Sequence, residues 1–133
     1  MYEDKCNKEV IELHDFFLNW FTGKAIESDF IRFSDHISPL FQLITPTATV
    51  IDYDGIKNMI KNSYNSRNEM EMWIENVSTW KLSSDIYLTT YHELNMEDGT
   101  KTRRLSTAIF RVNEKCVNSV EWVHVHETWV NDK

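Results

Sequence analysis

Glycine and proline are scarce in this sequence, with three glycines and two prolines among 133 residues. Their scarcity argues against a disordered or low-complexity chain, in which these residues are enriched. Hydrophobic residues make up 41% of the chain, which is enough for a packed core. A chain of this length suits one domain, and we expect a single domain over residues 1–133.

Positive charge is also in short supply, because 14 basic residues stand against 21 acidic residues and give a net charge of −7. A negative surface repels phosphate backbones and anionic lipids, so we expect neither nucleic-acid nor membrane partners. The two cysteines, Cys6 and Cys116, are far apart and predict neither a disulfide framework nor a zinc site. The charged segment at residues 1–5 lacks the apolar stretch of a secretion signal, so we expect a cytoplasmic protein.

Motifs for nucleotide cofactors and activated nucleophiles are missing. The sequence has no glycine-rich phosphate loop, no Gly-x-Ser-x-Gly turn and no paired cysteine and histidine nucleophile. We therefore expect no cofactor, and we set aside kinase, NAD-dependent and serine hydrolase activities.

Helical periodicity is confined to the N-terminal part of the chain. Apolar residues at helical spacing predict helices over residues 7–21 and 25–36, and a third helix that begins after Asp54 as its N-cap. His14 falls on the apolar face of the first helix with Phe17, and such a histidine is more often a core residue with one hydrogen bond than a ligand.

Alternating residues predict two short strands over 40–45 and 48–53. Long strands follow over 69–80 and 86–96, and the last strand covers 120–130. Asp98-Gly99 favours a two-residue hairpin turn, which pairs Glu93 with Arg104 and His92 with Leu105. Helices followed by strands predict an α+β fold. We expect three N-terminal helices on a cone-shaped, strongly curved antiparallel sheet, with a pocket between them.

Period-two alternation divides the last long strands into two faces. We expect the more aliphatic face to pack against the helices, because burial of apolar area drives this packing. The inward residues are then Leu88, Thr90, His92, Leu94, Arg103, Leu105, Thr107, Ile109, Val123, Val125, Glu127 and Trp129. The opposite face is aromatic and suits a homodimer interface. Its predicted interface residues are Tyr91, Ser106, His124 and His126.

The order of elements, the strands around Tyr91-His92-Glu93 and around residues 104–108, and the C-terminal segment 122–129 together resemble the nuclear-transport-factor-2-like superfamily. Within it the chain is most similar to stand-alone SnoaL-like or ketosteroid-isomerase-like domains and to the association domain of calcium/calmodulin-dependent kinase. The resemblance implies a conical sheet with a pocket at its open end, and a dimer. Because members include both enzymes and non-catalytic binders, the fold alone does not settle the function.

The inward polar residues His92, Arg103 and Glu127 form the candidate site. Arg103 would bind a carboxylate ligand while His92 and Glu127 act in acid–base catalysis, but an ordinary ion-pair network is the more common explanation. The other residues expected to contact a small apolar or carboxylate ligand are His14, Phe17, Tyr53, Leu105 and Val125. His124 and His126 share one side of a strand but lack a third ligand, so no metal site is predicted.

Three hypotheses of function follow. The first is a homodimeric small-molecule-binding domain whose ligand the sequence does not identify. The second is an isomerase, dehydratase or cyclase acting on a small ring or carbonyl compound, with His92 as base and Arg103 or Tyr53 stabilising negative charge. The third is a non-catalytic assembly module.

Overall fold

The order of helices and strands is the one expected from the sequence. The structure is a computed structural model, and it describes residues 1–131. The elements are α1 (Tyr2–Phe21), a 3-10 turn (Glu27–Phe30) leading into α2 (Ile31–Ser34), β1 (Ile37–Ile44), β2 (Val50–Asp52), α3 (Tyr53–Asn62), β3 (Glu71–Lys81), β4 (Ile86–Glu97), β5 (Thr100–Val112) and β6 (Val120–Trp129). The predicted α+β class is confirmed.

The six strands form one sheet in the order β2-β1-β6-β5-β4-β3. All neighbouring strands run antiparallel except β1 and β6, which are parallel. The expectation of a wholly antiparallel sheet was therefore wrong at this one pairing. These two strands are far apart in the sequence, so no hairpin turn dictates their relative direction.

The hairpin at Asp98-Gly99 confirms the predicted register. Glu93 lies opposite Arg104, and His92 lies opposite Leu105. The φ angles of Asp98 and Gly99 are 53° and 77°, the left-handed conformations that a type I′ turn requires. The turn therefore fixes which residues of β4 and β5 are neighbours.

Helix boundaries differ from the prediction, and for the third helix the cause is a different capping residue. The first helix begins at Tyr2 rather than at residue 7, and the second is only a 3-10 turn and one α-helical turn. The third begins two residues early, because Asp52 rather than Asp54 accepts a hydrogen bond from the Gly55 amide at 2.9 Å. None of the helices within residues 1–131 is both long and apolar enough to cross a bilayer.

The predicted faces of β4 and β5 are inverted. The side chains packed beneath the helices, which form the inner face, include Tyr87, Tyr91, Ser106, Ala108 and Phe110. Aromatic rings bury more apolar area than the aliphatic and threonine residues on the other side. The small side chains between the rings leave room for the helices. Total buried area therefore outweighs aliphatic character in choosing the inner face.

Strand β6 combines residues from both predicted faces on its inner side. A register shift against β5 between Ile109 and Phe110 changes the alternation of β6. Trp122, Val125 and Glu127 are all buried as a result, although Trp122 was expected to face outward. His124 and His126 face outward, as predicted.

A buried carboxylate joins α1 to the C-terminal part of the sheet. Glu9 is fully buried, and its two oxygens accept hydrogen bonds from Arg32 at 2.7 and 3.1 Å, Asn118 at 2.9 Å and Trp122 at 2.8 Å. Both oxygens are satisfied, as a buried charge requires. This cluster fixes the position of Trp122, whose ring forms part of the cavity described next.

Candidate functional site

A cavity of about 280 Å³ lies between the helices and the inner face of the sheet. Its walls are mostly apolar, and aromatic residues supply much of them: Phe17, Phe21, Phe33, Phe41, Tyr91 and Trp122. Pockets that bind small molecules have this character, with apolar walls and a few convergent polar groups.

The first helix supplies one wall because of its residue spacing. Leu13, Phe17 and Phe21 recur every four residues, so their side chains follow one stripe along α1. His14 is adjacent to this stripe, and its ring contacts Phe17 and Tyr91 edge-on with centroids 5.4 Å apart in each case. The same periodicity that buries α1 therefore carries an imidazole into the cavity wall.

One end of the cavity is polar, and we call it the polar end; its residues are His14, Glu93, Asn95, Arg104 and Glu127. The imidazole Nε2 atom of His14 lies 3.0 Å from Glu93 Oε1, and both residues are at least nine-tenths buried. The Nδ1 atom of His14 lies 2.7 Å from the carbonyl oxygen of Val10. This ion pair connects α1 to β4.

The protonation of His14 follows from its two partners. Burial raises the pKa of Glu93, but the hydrogen bond and charge of His14, with Arg104 and Asn95, lower it to about 2. Burial also opposes the charged form of His14, yet Glu93 outweighs it and raises the pKa of His14. Because a carbonyl and an ionised carboxylate only accept, both ring nitrogens carry protons. His14 is thus an imidazolium without a lone pair to act as a base.

A second ion pair lies beside the first. Arg104 Nη1 donates to Glu127 Oε1 at 3.0 Å, while Arg104 Nε lies 3.7 Å from Glu93 Oε2. Asn95 donates its side-chain amide to Glu93 at 2.8 Å. Burial raises the pKa of Glu127, the nearby Glu93 charge adds to this rise, and Arg104 opposes both. Two carboxylates and two cations therefore neutralise one another at the polar end.

Four of the predicted site residues do line the cavity, namely His14, Phe17, Val125 and Glu127. His92, Arg103 and Leu105 do not, because the inversion of β4 and β5 places them on the outer face of the sheet. There Arg103 donates to His92 Nδ1 at 3.1 Å and lies 3.6 Å from Glu75. The alternative explanation, an ion-pair network in which His92 is hydrogen-bonded to Glu127, differs from these contacts, because Glu127 accepts from Arg104 on the inner face.

Tyr53 is also absent from the cavity lining. It is the first residue of α3, where its ring contacts the core and its hydroxyl accepts a hydrogen bond from Lys57 at 3.2 Å. Tyr91 and Ser106, predicted at a dimer interface, are buried on the inner face. Within residues 1–131, no group of three or more histidine, cysteine or acidic residues is arranged to hold a metal.

Sequence reasoning missed Glu93, Asn95 and Arg104 as cavity residues. The signal was present, because the hairpin register already paired Glu93 with Arg104. The prediction took the aromatic face of β4 and β5 as the outer face, and these residues were therefore expected to point outward. An ion pair between adjacent strands, on the same face as several large rings, would have indicated a buried polar cluster.

Comparison with known proteins gives the chain a family. Residues 6–131 match the family described as sucrose-6-phosphate phosphohydrolase C-terminal. The chain belongs to this family. It is 23% identical to probable sucrose-phosphatase 3a of Arabidopsis thaliana, over 93% of the chain but only 30% of that protein. The family domain described here therefore spans less than a third of that curated relative.

Solved structures confirm the fold expected from the sequence. A nuclear-transport-factor-2-like protein of unknown function from Pseudomonas aeruginosa is similar, with a TM-score of 0.87, 18% identity and coverage of 96% of this chain and 99% of that one. A CaMKII hub from S. rosetta has a TM-score of 0.65, 15% identity and coverage of 92% and 95%. The nuclear-transport-factor-2-like fold is thus established, and at these identities the similarity concerns the fold alone.

The pKa shifts of the buried pair predict how stability depends on pH. The raised pKa of His14 contributes stability that is complete below about pH 6.5 and is lost as pH rises through its folded-state pKa. The lowered pKa of Glu93 contributes stability that is complete above about pH 4.5 and is lost as pH falls toward about 2. We expect the pair to contribute most between about pH 4.5 and 6.5.

Urea unfolding from pH 4 to 9 of the unmodified protein and of His14→Gln would measure this contribution. The difference in free energy of unfolding between the two should shrink as pH rises above neutrality. Subtracting the variant cancels groups that do not interact with His14. Glu93 and Glu127 do interact with it, because His14 lowers the pKa of both, and their change belongs to the contribution that is measured. A difference that stays constant or grows with rising pH would contradict the imidazolium assignment.

Proposed function

We propose that this domain binds a small molecule in the cavity between its helices and the inner face of its sheet. The observation that carries the proposal is the pairing of an aromatic wall with a buried, fully formed polar cluster at one end. A filled core would not need such a cluster, since burying ionised groups is costly. A preorganised polar end gives orientation to a ligand, and the apolar walls give it binding energy.

Binding is favoured over catalysis by the state of the candidate acid–base groups. His14 has no free lone pair, and His92 lies on the opposite face of the sheet. Glu127 is the remaining cavity carboxylate; its pKa is raised, but Arg104 holds its Oε1 atom and opposes that rise. An isomerase or cyclase of the kind considered from the sequence would depend on Glu127 alone as its base.

The family gives a first set of ligands to test. The Arabidopsis relative is named a sucrose-phosphatase, so sucrose, its phosphate and their component sugars are reasonable first candidates for this cavity. We extend the test to a library of small ring compounds, because the walls are more apolar than polar.

A thermal-shift screen with two tryptophan variants tests the proposal. Leu43 lines the cavity, so Leu43→Trp should fill it, whereas Leu82→Trp adds the same ring at a position that is 52% exposed. A ligand at about 100 times its dissociation constant should stabilise the unmodified protein by about 2.7 kcal/mol. We expect this stabilisation to persist in Leu82→Trp and to disappear in Leu43→Trp. Equal stabilisation of both variants would place the ligand elsewhere and contradict the proposal.

We also propose that two copies of the chain associate through the outer face of the sheet. Its central part contains Thr90, His92, Leu105, Thr107, Ile109, His124, His126 and Thr128. This central part has no carboxylate, although the chain as a whole has 21 acidic residues and a net charge of −7. Glu75, on β3 beside it, lies opposite His92 and is paired with Arg103 at 3.6 Å. Two acidic copies approach each other with least repulsion where carboxylates are missing. Association of like faces around a two-fold axis is also the commonest arrangement.

Light scattering at micromolar concentration measures this association. We expect a mass twice the 15.8 kDa of the chain. Leu105→Glu places a charge on the outer face and should yield a monomer, while Ile11→Glu, at a 47% exposed position of α1, should leave the dimer intact. A monomeric unmodified protein would contradict the proposal.

A further inference from the structure

Both cations of the polar end, His14 and Arg104, lie beside carboxylates that balance their charge. Arg104 donates from Nη1 to Glu127 at 3.0 Å, and its Nε atom lies near Glu93. The imidazolium of His14 donates to Glu93 and to the carbonyl oxygen of Val10. An anionic ligand group would meet two carboxylates whose partners are already committed. Burying such a group without a counterion is strongly unfavourable.

Arg67 is the other cation that lines the cavity, and it does not change this balance. Its side chain is 49% exposed, and its Nε atom lies 3.9 Å from Glu97. Solvent screens a charge in that position. Arg67 therefore adds little attraction for an anion at the buried end.

The polar end does have hydrogen-bond acceptors to spare. Glu127 Oε2 makes no hydrogen bond within residues 1–131, since Arg104 contacts only Oε1. Asn95 is 8% exposed, and its amide is oriented by donation to Glu93, which leaves its Oδ1 atom buried without a partner. An unmet buried acceptor is costly, and a donor supplied by a ligand would satisfy it.

The balance of charges at the polar end also excludes a cationic ligand. Both carboxylates are neutralised by His14 and Arg104, so a third positive charge would lie among cations in an apolar cavity. Arg104 Nε is also buried without a hydrogen-bond partner. The group that suits the polar end is therefore uncharged and able both to donate and to accept, as a hydroxyl is.

We infer that the cavity accepts an uncharged alcohol, whose hydroxyl donates a hydrogen bond to Glu127 beside the unmet oxygen of Asn95 while its ring packs against the aromatic wall. This inference rests on the proposed binding function and names the ligand class. It departs from the sequence-based expectation of a carboxylate ligand, which relied on Arg103.

Three probes of nearly equal size test the inference, namely benzyl alcohol, benzoate and benzylamine. Each is titrated into ¹⁵N-labelled protein, and the cavity is monitored through the side-chain amide of Asn95. We expect benzyl alcohol to bind at least about tenfold more tightly than either charged probe, because only it avoids an unpaired buried charge.

Glu127→Gln removes one carboxylate and leaves Arg104 with an uncompensated charge. Benzoate affinity should then rise about tenfold, through a charge-assisted hydrogen bond to the freed guanidinium. Glu75→Gln is the matched control, because Glu75 lies 3.6 Å from Arg103 on the outer face. It should leave the affinities for all three probes unchanged.

The outcomes separate this inference from the proposed function. If benzoate binds the unmodified protein as tightly as benzyl alcohol, or if Glu75→Gln acts like Glu127→Gln, the ligand class is overturned while the cavity proposal stands. If no probe perturbs Asn95 and its neighbours at millimolar concentration, the cavity proposal itself fails, and the inference fails with it.

Discussion

The buried ion pair between His14 and Glu93 is the interaction on which the rest of the arrangement depends. It connects the longest helix to β4 at the polar end of the cavity. An ionised carboxylate in an apolar core is tolerated only with close, well-aligned partners. Glu93 has three of them in His14, Asn95 and Arg104, and this need for partners draws polar residues from α1, β4 and β5 to one place.

The polar end is neutral because these charges cancel within it. The cavity is left with aromatic walls, spare acceptors and no free ion, which suits an uncharged ligand better than the anionic one that the sequence suggested. The central part of the outer face has histidines, threonines and aliphatic residues without carboxylates, which suits the contact that we propose between two acidic copies. We therefore propose ligand binding on the inner face of the sheet and assembly through its outer face. Neither assignment follows from the fold, which hosts many functions.

Local signals in the sequence were reliable where one short motif determines the outcome. Asp98-Gly99 fixed the register of β4 and β5, because few residues other than Asn, Asp and Gly adopt the positive φ angles of this turn. The choice of inner face was not local, and it was wrong for β4 and β5. It depended on the total area buried by Tyr91, Phe110 and similar rings, and on a partner for Glu93 that comes from a helix 79 residues away in the sequence.

The bulge in β6 was equally beyond local reasoning. It places Trp122 and Glu127 on the same side although simple alternation separates them. The contacts of Glu9 were also unforeseen. Its partners are Arg32 on α2, Asn118 on the connection between β5 and β6, and Trp122 on β6. The nuclear-transport-factor-2-like fold was reached from the order of elements, which depends less on these details, whereas the sequence reasoning did not reach the sucrose-6-phosphate phosphohydrolase C-terminal family.

A double-mutant cycle on His14 and Glu93 tests the central claim most directly. The free energy of unfolding is measured at pH 6 for the unmodified protein, for His14→Gln, for Glu93→Gln and for the double variant. We predict a coupling energy of about 2 kcal/mol or more between the two residues, with less than about 1 kcal/mol in the matching cycle on the partly exposed pair His92 and Arg103. A coupling energy below about 0.5 kcal/mol for His14 and Glu93 would show that the pair does not join helix to sheet, and would contradict this account.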